Sequence, residues 1–283
     1  MLRSNRMEPV DYVAIGHITL DDTPEGPRIG GSAAYAALTA QAFGLRAGIV
    51  TAWGEELPAD ALAGVAIHNI GAQHSTRFEN SYVDGARTQR ISQLAPELDY
   101  YYIPEAWRST PIVHLAPVAQ EVSPRILSYF SDSTRCATPQ GWLREWDADG
   151  RIQPADWLEA ELTLSRLDAC ILGLEDVGGD LTRVDSMAAL CPVLVVTDGK
   201  AGAHLYSQGE ITHIPAVPAD EVDPTGAGDV FAATFFLQLH RSGDAHLAGH
   251  LAARVAAHAV TRVGLAGIPT RDELFDLLAE AAA

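Results

Sequence analysis

The chain has 283 residues, 47% hydrophobic and 20% charged, a globular balance that excludes a disordered chain and is long enough for a full core without disulfide or metal staples. With 37 acidic against 19 basic side chains the formal charge is −18, which argues against nucleic-acid or anionic-membrane binding, although a local site can oppose the global field. Cys136, Cys170 and Cys191 are far apart, with no CxxC, and read as reduced structural thiols. No apolar run approaches the length of a membrane span and no leader is read before the first strand, so the expected location is cytoplasmic.

Residues 10–20 read as a buried strand leaving through Gly16, followed by an Asp-, Pro- and Gly-rich loop over 21–31. Small residues over 32–43 predict a helix stopped at Gly44, and 47–53 the next strand, the opening of a parallel α/β sheet. The pattern then turns to alternation. Segments 75–83 and 86–94 flank Asp84-Gly85, a hairpin signal, and 65–70 reads as a third strand beside them. These features predict an inserted β lid over 65–95 within a core of 1–64 and 96–283.

The α/β rhythm resumes with a strand at 112–116, a helix over 122–131, and a strand running into a loop over 134–146. Helices at 154–166 and 180–190 and strands at 168–174 and 193–197 follow. A hairpin over 203–214 and helices over 226–240, 244–262 and 270–282 complete the chain. The histidine pair His246/His250 and the Tyr100-Tyr101-Tyr102 run read as packing features, and lid arginines Arg77, Arg87 and Arg90 as partners for the many acids.

Residues 223–229, Asp-Pro-Thr-Gly-Ala-Gly-Asp, stand where a loop enters a helix. Small residues allow close backbone approach, and the first amides of a helix, at Gly226, Ala227 and Gly228, form an anion hole helped by the helix dipole. Asp229 falls in the first turn. A carboxylate beside an anion suits a base that takes a proton from an attacking hydroxyl. The chain's single lysine, Lys200, stands in the turn Thr197-Asp198-Gly199-Lys200-Ala201-Gly202. No Walker A sequence occurs.

The run DPTGAGDVF resembles the second signature of the ribokinase-like, PfkB-type carbohydrate kinases. The resemblance spans most of the chain. Ile29-Gly30-Gly31-Ser32-Ala33-Ala34-Tyr35 is similar to the first signature, Gly16 to Asp21 to the substrate-binding end of the first strand, Thr197 to Gly202 to the nucleotide loop, and Ala259 to Gly264 to the segment near the adenine.

The resemblance implies a three-layer α/β/α fold with a mostly parallel central sheet and a small β-sheet lid. It implies an ATP-dependent kinase that phosphorylates a hydroxyl of a small sugar, polyol or nucleoside. Asp229 would be the base, and Asp21, Gly30, Gly31 and Tyr35 would bind substrate. Thr197, Gly199, Lys200, Gly202, Thr225 and Gly264 would bind nucleotide. Mg2+ is implied, held through water by Glu175 and Asp176; K+ is a further candidate, and a homodimer through the lid is expected. Three departures stand out: Tyr35 where the family commonly has Asn, Gly173-Leu174-Glu175-Asp176 for its Asn-x-x-Glu element, and Thr138 to Arg144 for an Asp-Pro-Asn-x-Arg pattern. They motivate a second reading, a ligand-binding pseudokinase without turnover.

Overall fold

The computed structural model describes residues 7–55, 59–83 and 86–282, and the Asp84-Gly85 turn lies outside the described residues. In chain order the elements are β1 (Tyr12–Ile15), β2 (Thr19–Thr23), β3 (Gly26–Gly30), α1 (Ser32–Ala42), β4 (Ala47–Thr51), β5 (Ala66–Asn69), β6 (Thr76–Val83) and β7 (Ala86–Gln93). There follow β8 (Ile112–Leu115), β9 (Thr134–Ala137), β10 (Arg144–Trp146), β11 (Ile152–Pro154), α2 (Ala160–Leu164), β12 (Ala169–Gly173), α3 (Leu181–Ala188) and β13 (Val193–Thr197). The chain closes with β14 (Ala203–Ser207), β15 (Glu210–Ile214), α4 (Ala227–Ser242), α5 (Ala245–Ala259) and α6 (Arg271–Ala282).

The large sheet runs β15-β14-β13-β12-β9-β8-β1-β4-β5, parallel throughout except for the β13-β14-β15 end. Strands β1, β4, β8 and β12 are buried on both sides because both faces are covered there. Tyr12 and Ala14 of β1 pack with the small residues of α1, whereas Val13 and Ile15 join the opposite cluster around Trp107, Phe130 and Trp142. Helices α4 and α5 cover the β12–β15 half through Phe231, Phe235, Phe236 and Ala248. Helix ends follow their sequence signals: Asp180 caps α3 and Asp244 caps α5 through backbone amides, and Gly44 takes a left-handed φ of +81° after α1.

The small sheet differs from expectation in composition. It runs β3-β2-β6-β7, so the segment 19–30, expected as strand end and loop, supplies two of its strands. The expected third lid strand at 65–70 pairs instead with β4, in parallel, as the edge of the large sheet. Its length and position one crossover after β4 suit a sheet edge, and composition alone could not tell the two sheets apart. The predicted helix at 122–131 is a 3-10 turn over Pro124–Tyr129, and only Ala160–Leu164 of the predicted 154–166 helix forms. Residues 152–154 are drawn into the β10–β11 hairpin, which bridges to β7 at Arg90 and Arg151.

The carboxyl ends of β1, β9, β12 and β13 all open on one side, where parallel α/β sheets receive ligands. The segments that follow these ends carry Asp21, Gln140, Asp176 and Lys200, and all four line one cavity.

Helix α6 is tied back by Glu273, which accepts from both Arg262 terminal nitrogens at 3.1 and 3.2 Å and from the Thr270 amide at 2.7 Å. The Thr270 amide bond, then the Arg262 guanidinium, holds its carboxyl at about 2, against the 4.5 of a free glutamate, despite the opposing cost of burial. A depressed carboxylate stabilises fully above its unfolded value and loses that contribution as pH falls towards 2. Glu273→Gln is expected to cost about 0.5–1 kcal/mol at pH 7, a small value because the group is half exposed. Urea melts of both forms should converge between pH 4.5 and 2.

Candidate active site

The loop into α4 is folded by Asp223. Its carboxylate accepts the Thr225 amide at 2.9 Å and the Gly264 amide at 3.0 Å. Gly226 caps the helix with φ +79°, and a Cβ built there would lie 2.1 Å from Cε1 of Tyr35. Both the backbone and the neighbour therefore require glycine. The helical ladder begins with the Val230 amide donating to Gly226 O at 2.9 Å. The Ala227 amide turns back to Pro224 O at 3.2 Å, so this member of the expected anion hole is engaged within its own turn. The Gly228 and Asp229 amides stand ahead of the ladder at the positive end of the helix. Nothing lies within 4 Å of where a Gly228 Cβ would point, because that side is the cavity.

Asp229 lies half-buried in the first turn of α4 and lines a cavity of about 1020 Å³. Loss of solvent raises its pKa from 3.8 to about 6. A hydrogen bond from Ser32 lowers it, the Asp176 charge raises it and the Arg144 charge lowers it, all against the larger burial effect. A carboxylate held near 6 is ionised at neutral pH and is basic enough to accept a proton. Ser32 comes from the first turn of α1, so the two glycine-rich loops meet at this carboxylate.

One end of the cavity is built by the small sheet and α1. Asp21 and Asp22 are adjacent in sequence and β2 separates them, since alternate strand residues face opposite sides. Asp21 lines the cavity and accepts from Thr19 Oγ1 at 2.9 Å. Asp22 is held by Arg77 through two bonds of 2.8 and 2.5 Å. Gly30 stays behind Asp21: a Cβ there would meet Asp21 Oδ2 at 2.5 Å and Thr19 Oγ1 at 2.8 Å. Gly31, φ +93°, lets the chain pass His17 O and enter α1. Tyr35 is buried between this end and the anion loop, and burial, then the Asp229 charge, raises its hydroxyl pKa. Phe78 and Gln89 of the small sheet and Val118, Thr138, Gln140 and Arg144 of the core complete the wall. Thr138, Gln140 and Arg144 lie where the sequence departs from the family pattern, which is why motif reading did not assign Thr138 or Gln140.

The other end is a slot. Ala253, Ala256, Ala257 and Val260 form an i, i+3, i+4, i+7 stripe that faces the cavity opposite Val217 and Pro218. Thr197, Gly199, Lys200, Gly202 and Thr225 line the cavity, and Gly264 does not; its amide serves Asp223 behind the loop. Gly202, φ +94°, passes the carbonyl of Ile214 so closely that a Cβ would come within 2.3 Å. Lys200 is exposed and pairs with Glu221 across the slot mouth at 3.2 Å. Between the two ends stand Glu175 and Asp176. Asp176 accepts the Gly173 amide at 2.9 Å and the Gln140 amide at 3.1 Å. Among the described residues no group of three His, Cys, Asp or Glu side chains could hold a metal directly. The histidine pair His246/His250 is thus without a ligand set, and the tyrosine run lies in a 3-10 turn, its rings meeting edge-on or tilted against one another and against Tyr129.

Comparison with known proteins agrees with this geometry. Residues 177–271 match the profile of the pfkB family carbohydrate kinases. A cytidine kinase of Thermococcus kodakarensis is 27% identical over 253 residues, covering 80% of this chain and 87% of that protein. A pyrophosphate-dependent kinase in the ribokinase family, solved with a pyrophosphate analogue and myo-inositol, superposes with a TM-score of 0.79 at 18% identity, covering 94% of this chain and 99% of that one. The ribokinase of Arabidopsis thaliana, solved with ribose and ATP, gives 0.74 at 19% identity over 96% of this chain and 99% of that one. These structural matches establish the ribokinase fold. Among the described residues no helix is long and apolar enough to cross a membrane.

Proposed function

Taking this chain as a member of the ribokinase-like, PfkB-type carbohydrate kinases, we propose that it transfers the γ-phosphoryl group of ATP to a hydroxyl of a small sugar, polyol or nucleoside. The observation that carries the reading is Asp229: a carboxylate near pKa 6, at the positive end of α4, lining a cavity with an acid-bearing pocket at one end and an apolar slot at the other.

In this reading Asp21 takes paired hydroxyl protons of the acceptor. Asp229 receives the proton of the attacking hydroxyl as its oxygen forms the new bond to phosphorus, while the bond from phosphorus to the ADP oxygen breaks. The Gly228 and Asp229 amides hold the equatorial oxygens of the travelling group, with Gly226 setting the turn that presents them. The slot favours a nucleotide over pyrophosphate as donor, since a stripe of alanines makes room for a flat base and pyrophosphate has nothing to place there. Lys200 is close enough to the slot mouth to exchange Glu221 for a phosphate.

Mg2+ fits through water rather than directly: Asp176 is already held by two donors, and its negative charge acts on Asp229 and would be offset by a hydrated cation. When bound, the ion would neutralise phosphate charge. Asp223 puts a negative charge behind the anion loop, a place suited to K+. The small sheet is the lid of this reading. β3 is its outer edge, the edge offered to a second copy, because β7 is bridged to the β10–β11 hairpin.

The test is product formation with ATP or pyrophosphate against cytidine, ribose, fructose and myo-inositol, followed by ³¹P NMR. With the acceptor that turns over, kcat/KM is expected to be flat above pH 7 and to fall tenfold per pH unit well below 6, as Asp229 takes up its proton. A chain that binds ATP and phosphorylates nothing in a broad acceptor panel would instead be the pseudokinase.

A further inference from the structure

A chain of three side chains runs from the core to the cavity and is not used by the mechanism above. Tyr12 of β1 and His114 of β8 are both fully buried in neighbouring strands. Tyr12 Oη lies 2.7 Å from His114 Nδ1, and His114 Nε2 lies 2.9 Å from Oγ1 of Thr138, which lines the cavity. His114 also meets the ring of Phe236 edge-on, and that residue shares α4 with Asp229.

Hydrogen-bond accounting sets the direction of this chain. A buried polar hydrogen without an acceptor is costly. If Tyr12 accepted from Nδ1–H, its own hydroxyl proton would be left among the apolar residues packed with it, since His114 is its one hydrogen-bond partner among the described residues. Tyr12 therefore donates to Nδ1. A neutral imidazole that accepts at one nitrogen donates from the other, so Nε2–H points at Thr138 Oγ1. Burial holds the ring neutral, with a pKa of about 3. Thr138 Oγ1 thus already receives a proton from below, and its own O–H is left to point outward.

We propose that Thr138 is a ligand-positioning residue whose hydroxyl is oriented by the Tyr12–His114 relay, so that it presents a hydrogen-bond donor to a lone-pair-bearing oxygen of the bound ligand. The identity of the ligand rests on the kinase reading; the orientation does not. β9 lies between β12, which carries Glu175 and Asp176 just beyond its end, and β8, next to β1. The oxygen Thr138 meets therefore belongs either to the acceptor or to the transferred phosphoryl group. A pocket donor of this kind favours ether, carbonyl or phosphoryl oxygens, whereas Asp21, which lines the same cavity, takes hydroxyl protons, so the two together would fix which way round an acceptor sits.

Long-range ¹H–¹⁵N spectra of the full chain without ligand test the orientation. His114 is expected as the Nε2–H tautomer at both pH 6 and pH 8; an Nδ1–H tautomer, or an imidazolium at pH 6, overturns the proposal. Kinetics with ATP and with cytidine or myo-inositol test the contact. Thr138→Val is expected to raise the acceptor or ATP KM, or to lower kcat, by about 5- to 100-fold, and Thr138→Ser to restore it. A change confined to the acceptor KM assigns the oxygen to the acceptor; a change in the ATP KM or in kcat assigns it to the phosphoryl group. Tyr12→Phe should weaken the same constant about 3- to 10-fold in the parent and leave it unmoved in Thr138→Val, since a coupled pair is not additive. A purely structural role for Tyr12 would give equal effects in both backgrounds and would overturn the relay. Unchanged constants in Thr138→Val overturn the contact. If neither acceptor is turned over, that result bears on the kinase reading, and the tautomer of His114 still decides this proposal.

Discussion

Asp229→Asn is expected to lower kcat by about 10²- to 10⁴-fold, the range for removing a positioned general base. The amide keeps the shape of the side chain and can keep a hydrogen bond with Ser32, so the fold and the cavity should survive. What it loses is the capacity to take a proton. Two further results separate this from a loss of binding. ATP should still raise the melting temperature, because the slot and the Lys200 loop are untouched. The acid limb of the pH profile should disappear, because the group that loss of solvent holds near 6 is gone. The predicted profile has the sign of a base: activity needs the ionised form and is lost as pH falls through 6. Unchanged turnover in the variant would remove Asp229 from the chemistry and leave the anion loop as a binding feature only.

Gly226→Ala is expected to be nearly as damaging by a different route. The position has φ +79°, which costs an alanine about 1–2 kcal/mol. The added methyl would also sit 2.1 Å from the Tyr35 ring, which is only 3% exposed and has little room to move. Relief must come from the loop, and the loop holds the Gly228 and Asp229 amides. The expected result is a loss of about 1–3 kcal/mol in urea unfolding together with a fall in kcat of about 10²-fold, because misplaced amides no longer meet the phosphoryl oxygens. Gly228→Ala, where a Cβ meets nothing and the backbone is helical, should unfold like the parent. Tyr35→Ala added to Gly226→Ala should recover part of the stability if the ring is the obstacle. A Gly226→Ala chain as stable and active as the parent would show that the loop tolerates the shift without misplacing its amides.

Tyr35 illustrates how a departure from a family pattern acquires a physical reading. As a sequence feature it is a bulky residue where the pattern it resembles has Asn. In the fold its ring is the surface that forbids any side chain at Gly226, and its hydroxyl lies 3.8 Å from where a Gly264 Cβ would be. It joins α1 to the anion loop from inside the core, so what the structure assigns to it is packing between the two.

What could be read from residues alone was whatever depends on near neighbours in the chain. The glycines of 226 and 31 are needed for positive φ at the mouths of α4 and α1, and such turns are encoded locally. The buried strands and the carboxylate in the first turn of α4 are of the same kind. Decided only by the tertiary structure were matters of pairing and facing. Residues 19–30 looked like a loop because Asp, Pro and Gly dominate them, and they became strands because β6 supplied a partner. The segment 66–69 joined the large sheet because β4 offered an edge. Strand alternation turned Asp21 towards the cavity and Asp22 towards Arg77. The stripe of α5 carries the same spacing whether it covers a core or lines a slot. The Tyr12–His114–Thr138 chain joins residues more than 100 positions apart. Hydrogen bonds and packing act through space without regard to sequence separation, and the sheet order brings those distant positions together.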